Sequence, residues 1–548
     1  MSGAKRFFKN AILMSAAALF MRTVSVGYNV YVTNIVGAEG IGLFTLVMTA
    51  YSFAVTFATS GISLAVTRMT TETVLTAPFG EEQKRLSNVM TTSVLYCLFF
   101  GILGGAVLFF GAEYIGRELL GDSRTVLSLK ILALTLAPTS LSSALSGYFN
   151  ACRRVFKNAA VSVVGQFVKI ALTAFGLSLL LPKGAEYALA ALVGGGAISE
   201  AGTFLLSWAL YVCDRHSHFG ARAKKRGARY SSGDIQGTEL SAGTKTDAAA
   251  SILSSALPVA ISSYVRSGFL TLEHILIPRG LEKWGQSYSA ALASYGTLQG
   301  MVMPVIMFPY AILGSFTSLL VPEISESRAR GEDARIKYIT RRVFRTTLLF
   351  AVCTSALMIC FSNELGVILY DSEEAGYYIR VLAPVIPVMY LDTATDSLLK
   401  GLGEQLFCMR VNIFDSALSV VLVWLIVPVW GVVGYAAVII VCEVINASLS
   451  IWRLLSVTGV RPKILGWLVV PALTAAASCL IVSALSVVAA EGIGIGDTAA
   501  VGTAAFAILS ALLAAALYFA LLAVSGNLSR EETGYAKMVF SRKGHGAG

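Results

Sequence analysis

Long apolar segments alternate with short polar ones along almost the whole chain. A helix needs about 20 mostly apolar residues to cross the hydrocarbon core of a bilayer. Fourteen segments meet this condition, so the pattern predicts an all-α polytopic membrane protein with about 14 transmembrane helices. The predicted spans are 11–36, 41–67, 88–112, 127–150, 159–182, 186–212, 251–277, 288–320, 345–362, 377–399, 410–430, 432–452, 464–489 and 498–525.

The amino-acid composition is typical of a protein embedded in a lipid bilayer. The 548 residues are 56% hydrophobic and only 14% charged, which is far more apolar than a soluble domain. The net charge of +10 is carried by short segments between apolar runs, where it indicates membrane orientation rather than nucleic-acid binding. The first apolar run continues to Val36, past the length of a signal-peptide core, so we predict a retained first helix.

The loop charges fit one orientation. Cations cluster in every second loop, whereas the opposite loops carry few, and the one around Asp371–Glu374 is acidic. The positive-inside rule therefore predicts that both termini are cytoplasmic. The cation-rich segments contain Lys84 and Arg85, then Arg153, Arg154 and Lys157, then groups within 215–245 and 328–345.

One long polar stretch, 214–248, divides the chain. It is rich in Gly, Ser, Lys and Arg, which predicts a mobile, basic cytoplasmic linker. We predict a six-helix lobe at 1–213, a second at 249–456, an appended helix pair at 457–525 and a cytoplasmic tail at 526–548. His216 and His218 are interpreted as solvated linker residues, and the eight cysteines form no CxxC motif, so no metal or cofactor is predicted.

The two halves share a weak repeat. Phe20-Met21-Arg22-Thr23 in helix one matches Tyr264-Val265-Arg266-Ser267 in helix seven, and Leu136-Ala137-Pro138 matches Leu382-Ala383-Pro384. Helices six and twelve each carry a glutamate, Glu200 and Glu443. Their common order predicts two pseudo-symmetric six-helix bundles around a central cavity, with the first and seventh helices on its opposite walls.

Arginines within the spans are the main candidates for binding. A charge at the centre of a helix costs about 2.5 to 3.5 kcal/mol, so water, a partner or a ligand must compensate it. Arg22 lies about 12 residues, or about 18 Å, into the first span. We interpret Arg22, Arg68 and Arg266 as a clamp for a diphosphate, because guanidinium offers a planar fork of donors. Ion pairs between helices are the alternative, and Arg68 also fits a topology signal at a span end.

Other polar residues in the spans are candidates for lining the cavity or binding a coupling ion, either a proton or sodium. They are Lys169, Glu200, Glu273, His274, Asp392 and Glu443. Salt bridges between helices and polar packing are the alternatives for these residues. Prolines in helices eight and ten favour bent helices that either gate the transporter or are static kinks.

The stretch from Arg22 to Glu72 carries a family resemblance. It contains Gly37-Ala38-Glu39-Gly40-Ile41-Gly42-Leu43-Phe44 and Ser60-Gly61-Ile62-Ser63-Leu64-Ala65-Val66-Thr67-Arg68. These motifs resemble the stage V sporulation protein B and polysaccharide flippase branch of the multidrug/oligosaccharidyl-lipid/polysaccharide (MOP) superfamily. The related lipid II flippases have a second first-helix arginine where this chain has Tyr28. The sporulation branch often has a lysine and a proline where this chain has Arg68 and Ser63.

The resemblance implies a V-shaped pair of bundles in the bacterial cytoplasmic membrane. It further implies movement of an undecaprenyl-diphosphate-linked oligosaccharide or peptidoglycan precursor from the inner to the outer leaflet. The expected partners are this lipid-linked sugar, membrane lipids and enzymes of envelope synthesis, without nucleic acid. The oligomeric state is left open.

Three other functions compete with a flippase. A cation-coupled multidrug exporter of the same superfamily needs acidic residues in its cavity, whereas helix one offers arginine. A membrane enzyme needs catalytic groups facing a large outer loop, and no predicted outer loop is long enough. A non-transporting scaffold for envelope assembly would use the buried charges only to lock helices together. We therefore predict a transporter and not an enzyme.

Overall fold

The computed structural model describes residues 2–59, 61–76, 82–152, 154–227, 245–462, 465–493 and 500–525. Within these ranges the regular elements are all helical, which confirms the predicted all-α class. Short π-helical or 3₁₀ turns lie at 115–119, 181–183, 297–302, 383–385 and 465–469. The α-helices are α1 (Ser2–Thr59), α2 (Ile62–Thr76), α3 (Glu82–Tyr114), α4 (Thr125–Ala133), α5 (Leu136–Ala151), α6 (Val155–Leu180), α7 (Ala185–Gly227), α8 (Lys245–Trp284), α9 (Tyr288–Gly296), α10 (Met303–Met307), α11 (Tyr310–Ala329), α12 (Asp333–Cys360), α13 (Ser362–Tyr370), α14 (Glu373–Leu382), α15 (Ile386–Gly401), α16 (Gln405–Thr458), α17 (Val470–Ile493) and α18 (Ala500–Val524).

The helices are consistent with the predicted spans. In the described ranges, nine helices are long and apolar enough to cross a membrane, and the α4–α5 pair, bent by 45°, makes up to ten. Two of the nine helices, α1 and α16, each cover parts of two predicted spans. Each helix continues past a glycine with non-helical dihedral angles, Gly37 in α1 and Gly431 in α16. The predicted spans 251–277 and 377–399 are not among the nine. Arg266, Glu273 and His274 make the first more polar, and a 3₁₀ turn breaks the second.

Proline and glycine break several spans where the sequence predicts bends. Pro304 stands at the start of α10, Pro309 caps α11, and Pro384 lies in the 3₁₀ turn before α15. A proline lacks the backbone N–H that would continue the preceding helix. The second predicted span ends early, since Gly61 takes a positive φ of 77° before α2 begins. Discontinuous helices therefore form parts of both halves.

The chain divides into two compact units. We call residues 36–296 unit A, and residues 1–35 together with 297–548 unit B. In unit A, the core is built where α2, α3, α5 and α7 meet, around Ile62, Met90, Leu145, Phe149 and Tyr211. These side chains are buried, while large apolar residues such as Phe110 point outward, as expected for a surface in lipid.

Unit B has its own core around α12, α15 and α16, with Phe344, Leu398 and Leu454 nearly fully buried. The appended helices α17 and α18 pack on α12 through a cluster that contains Leu349, Ala475 and Tyr518. The Tyr518 hydroxyl donates a hydrogen bond to the Leu349 carbonyl at 2.9 Å. This places the predicted helix pair against the ninth predicted span.

Each unit contains the first span of the other sequence half. The predicted lobes, 1–213 and 249–456, follow the repeat, whereas the units divide at 35/36 and 296/297. In unit B, the Asn34 amide donates to the Leu369 carbonyl at 3.0 Å, which fixes the end of the first span. In unit A, the Arg279 guanidinium at the end of α8 donates to the carbonyls of Glu118 and Leu119. The ends of the two repeat-related helices are thus both held by hydrogen bonds from a side chain to backbone carbonyls.

The predicted linker is shorter than expected, because α7 continues to Gly227 and α8 begins at Lys245. Asp214, the first predicted linker residue, is 1% exposed and pairs with Arg154 and Lys157. A buried carboxylate between two cations needs a fixed backbone, and the helix supplies it. Residues 228–244 lie outside the described ranges, as do the side chains of His216 and His218.

Candidate functional site

The two central arginines of the repeat occupy different units. Arg22 lies on α1 in unit B, and Arg266 lies on α8 in unit A. Both side chains are exposed, and neither forms an ion pair within the described ranges. Two residues before Arg266, the Tyr264 hydroxyl donates to the Phe57 carbonyl at 3.1 Å, so this part of α8 is held in place. Arg68 lies on α2, but its side chain is outside the described part of the chain.

Lys169 and Glu200 come together in unit A. They lie on α6 and α7, both line one polar cavity of about 500 Å³, and their charges interact. Gly195 and Gly165 allow the two helices to approach closely, since a Cβ at either position would collide with the facing helix. The structure therefore places the predicted Glu200 beside the predicted Lys169, rather than beside an arginine.

Glu273 and His274 lie about two helical turns after Arg266 on α8. His274 Nδ1 is 2.8 Å from the Tyr295 hydroxyl, and their rings pack edge to face. Tyr295 is fully buried and its hydroxyl also neighbours Glu273 electrostatically. These contacts favour polar packing for His274 and leave it as a secondary candidate for ion coupling.

Asp392 and Glu443 belong to one acidic cluster in unit B. Asp392 is 9% exposed on α15, and the Asn446 amide donates to its Oδ2 at 3.1 Å. Its Oδ1, and Oδ1 of Asn446, are buried without a hydrogen-bond partner in the described structure. Asp396 and Asp415 add carboxylates that interact electrostatically with Asp392, and Asp415 also interacts with Glu443. Lys400 pairs with Asp396 at 3.5 Å. Buried carboxylates in one place require a proton or a cation to offset their repulsion.

The sequence interpretation missed Asp415, Asn446 and Ser450, which join Asp392 in this cluster. One signal was present in the sequence. Glu443, Asn446 and Ser450 recur at intervals of three and four residues, the spacing of one helix face. Such a polar stripe within an apolar span indicates an interior surface.

A second ionic cluster lies at the break between the first two predicted spans. Arg124 bridges Glu39 at 2.8 Å and Asp122 at 2.6 Å. The pKa of the Glu39 carboxyl lies below its ordinary value, mainly because the Ser289 hydroxyl donates to it and also because Arg124 does. This network joins the connection after the first predicted span, the connection before α4 and the start of α9, all in unit A.

The sequence matches two known protein families. The family described as "Polysaccharide biosynthesis protein" matches residues 7–327, and the family described as "MatE" matches residues 285–425. Stage V sporulation protein B of Bacillus subtilis (strain 168) is 24% identical over 436 residues, covering 79% of this chain and 80% of that protein. The uncharacterized membrane protein YabM of the same organism is 23% identical over 455 residues, covering 82% and 81%.

Solved structures share the fold. The lipid II flippase MurJ in an inward closed conformation superposes with a TM-score of 0.66 at 14% identity, covering 93% of this chain and 98% of that one. An inward-facing multidrug resistance MATE family transporter of the MOP superfamily gives a TM-score of 0.61 at 12% identity, covering 81% and 98%. This chain therefore shares its fold with a lipid II flippase and with a multidrug transporter of the MOP superfamily, and it belongs to the family described as "Polysaccharide biosynthesis protein".

Proposed function

We propose that the protein is an alternating-access flippase for an undecaprenyl-diphosphate-linked oligosaccharide or a peptidoglycan precursor. The lipid would move from the inner to the outer leaflet of the bacterial cytoplasmic membrane, with both protein termini in the cytoplasm. The observation that carries the proposal is the exposure of Arg22 and Arg266, two repeat-related arginines deep in predicted spans. The similarity to stage V sporulation protein B and the fold shared with a lipid II flippase support it.

Arg22, Arg68 and Arg266 would bind the diphosphate. A guanidinium presents parallel donors that match phosphate oxygens. Charge-assisted hydrogen bonds of this kind are roughly twice as strong as neutral ones. The hydrocarbon tail would stay in lipid, so only the headgroup needs a polar path.

The acidic cluster of unit B supports coupling of this transport to a cation. Asp392 Oδ1 and Asn446 Oδ1 are buried acceptors without partners in the described structure, and oxygen atoms are the ligands that hard cations prefer. We propose that a proton or a sodium ion binds at Asp392, with Asn446, Ser450 and the neighbouring carboxylates completing the site. No part of this site needs Glu273 or His274.

The experiment is a flipping assay in proteoliposomes that contain the purified full-length chain. A fluorescent undecaprenyl-diphosphate oligosaccharide reports on translocation, and sodium, proton and voltage gradients are applied separately. We expect Arg22→Gln and Arg266→Gln each to slow flipping at least tenfold, and the lysine variants to keep part of the rate. Normal flipping by the double glutamine variant would disprove the clamp.

A cation-coupled multidrug exporter is the second candidate. The MatE match at residues 285–425 and the acidic cluster of unit B favour it. In this case the chain would confer resistance to cationic drugs and would export them from proteoliposomes, while lipid-linked sugars would not move. The same vesicles can be tested with both substrates, so the two functions are separated in one preparation.

A further inference from the structure

Unit A contains a polar cavity between its helices. It has a volume of about 500 Å³ and lies between the second segment of α1 and helices α5, α6 and α7. On α6 it extends from Asn158 to Lys169, eleven residues apart (169 − 158), or about 16 Å at 1.5 Å per residue. It therefore reaches from the end of α6 that we predict to be cytoplasmic to about the middle of the span.

Hydroxyl and amide groups dominate the polar lining of this cavity. Ser142, Ser143 and Ser146 contribute from α5, and Asn158, Ser162 and Gln166 from α6. Serine and threonine in a membrane helix usually donate to their own backbone, and Ser162 and Thr203 do so here. Each such hydroxyl oxygen still has a free lone pair that can accept a hydrogen bond. The cavity is therefore rich in acceptors.

Ser142 is a residue of the lining whose hydroxyl is not used in a hydrogen bond within the described structure. The residue lines the cavity, and its hydroxyl oxygen is buried and has no hydrogen-bond partner among the described residues. Burying a polar group without a hydrogen-bond partner is energetically unfavourable. A ligand or water in the cavity would remove this cost.

The charges of the lining cancel. Among the described lining residues, the charged ones are Lys169 and Glu200, which have opposite signs and interact with each other. A cavity with no net charge gives no advantage to a phosphate or to a cationic drug. Its volume falls within the range of cavities that hold small organic ligands, and far exceeds what one cation needs.

Unit A also contains an apolar cavity, whose lining differs from that of the polar cavity. A second cavity of about 620 Å³ is lined by Phe53, Phe57, Leu272 and other apolar residues. A hydrocarbon chain has a suitable surface there and not in the polar cavity. The ligand that matches the polar cavity is uncharged and carries many hydroxyl or amide groups.

We infer that this cavity is a binding site for an uncharged sugar. The inference rests on the proposed function, since the carbohydrate part of the lipid-linked substrate would be its natural ligand. Sugar hydroxyls donate to the serine, threonine and amide oxygens, including Ser142, and accept from Lys169 and the amide of Gln166. The site determines which carbohydrate is accepted, separately from the residues that bind the diphosphate.

Cysteine protection tests the site directly in the purified full-length protein. Ser142→Cys is exposed to a small thiol reagent with and without an uncharged disaccharide, either maltose or N,N′-diacetylchitobiose, at millimolar concentration. Labelling is read by peptide mass spectrometry, and the native exposed Cys213 in the same protein is the internal control. We expect at least one disaccharide to slow labelling at position 142 threefold or more and to leave Cys213 unchanged.

Several results would overturn the inference. They are unreactive cysteines at both position 142 and position 146 in the folded protein, equal protection of Cys213, no protection by either sugar, and protection by sodium chloride or tetraphenylphosphonium instead. A thermal unfolding curve that matches the unsubstituted chain shows that the variant is folded. Ser146→Cys, on the same wall one turn away, is a second variant in case Ser142→Cys is poorly folded.

Transport separates this inference from the proposed function. Ser142→Leu should slow flipping of the sugar-linked lipid at least fivefold, and should leave flipping of sugar-free undecaprenyl diphosphate within twofold. Equal slowing of both lipids would reject the sugar site and keep the flippase. Sugar protection at position 142, without flipping of either lipid, would keep the site and reject the flippase.

Discussion

The Arg124 guanidinium lies 2.8 Å from the Glu39 carboxylate in unit A, and the Ser289 hydroxyl donates to the same carboxylate. These three residues come from the connection after the first span, the connection before α4 and the start of α9. The network therefore ties together segments that are distant in sequence, at a place where backbone direction changes. The network contributes little to the free energy of unfolding, because the Glu39 side chain is 36% exposed and solvent screens its charge.

The Glu39 carboxylate should make the free energy of unfolding depend on pH. Its folded pKa is lowered, so its contribution is complete above the unfolded pKa of about 4.3 and is lost as pH falls through the lowered folded value. Glu39→Gln should reduce stability at pH 7 by about 1 kcal/mol or less and flatten the acid limb of thermal unfolding in detergent. Glu326→Gln, in an exposed pair with Arg330, is the control and should show no such change.

Gly296 should not tolerate a side chain. A Cβ there would lie 2.7 Å from the Gly42 nitrogen and closer still to the Ala38 carbonyl oxygen, and backbone atoms cannot move aside cheaply. Gly296→Ala should cost about 1 to 3 kcal/mol by overpacking, seen as a lower unfolding temperature. Gly194→Ala in α7 is the matched control, because nothing lies within 4 Å of its Cβ. An unchanged melting curve for Gly296→Ala would contradict the close approach of these segments.

Asp392→Asn should abolish the response to the coupling cation. If sodium binds at Asp392, the unfolding temperature of the unsubstituted chain rises with sodium chloride more than with choline chloride, as expected for a ligand of the folded state. If a proton binds instead, the rise appears as pH is lowered. The variant should lose either response. Asp371→Asn is the control, since Asp371 lies in a loop with φ of +50°, a conformation that asparagine also adopts. A full response in Asp392→Asn would place the coupling ion elsewhere.

Tyr518→Phe should loosen the appended helices. The Tyr518 hydroxyl is buried and donates to the Leu349 carbonyl at 2.9 Å. Hydrogen bonds between membrane helices contribute about 0.6 kcal/mol on average and up to about 1.7. We expect a loss in this range, measured by thermal unfolding, together with faster proteolysis after α17. Tyr377→Phe, at a side chain that is 52% exposed, should have no effect. Equal stability of the two variants would show that the hydrogen bond contributes nothing.

Much of the architecture follows from local sequence properties. The length of an apolar run decides whether a segment can span the bilayer, so the all-α polytopic class and most spans are readable residue by residue. Prolines at 304, 309 and 384 predict breaks, because the missing N–H acts within one turn. The placement of Arg22 and Arg266 within spans follows from the same local reading.

Local sequence patterns do not predict which residues that are distant in the chain lie close together in the fold. Nothing near Asp415 indicates that it neighbours Asp392 and Glu443. Asp392 lies on α15, and Asp415 and Glu443 lie on opposite sides of the break at Gly431 in α16, so the three residues meet only through packing. Lys169 could equally have faced lipid headgroups, yet it shares a cavity with Glu200. Apolar periodicity fixes which face of a helix is buried but leaves open which helix covers it.

By itself, then, the sequence determined the helical membrane class, the breaks in the helices and the two repeated halves that carry Arg22 and Arg266. The tertiary structure decided that each compact unit takes the first span of the other half, and that Ser142, Lys169 and Glu200 line one cavity. The physical reason is that span formation depends on the affinity of each segment for lipid. Exchange of helices between units depends instead on particular long-range contacts, such as the hydrogen bond from Asn34 to the Leu369 carbonyl.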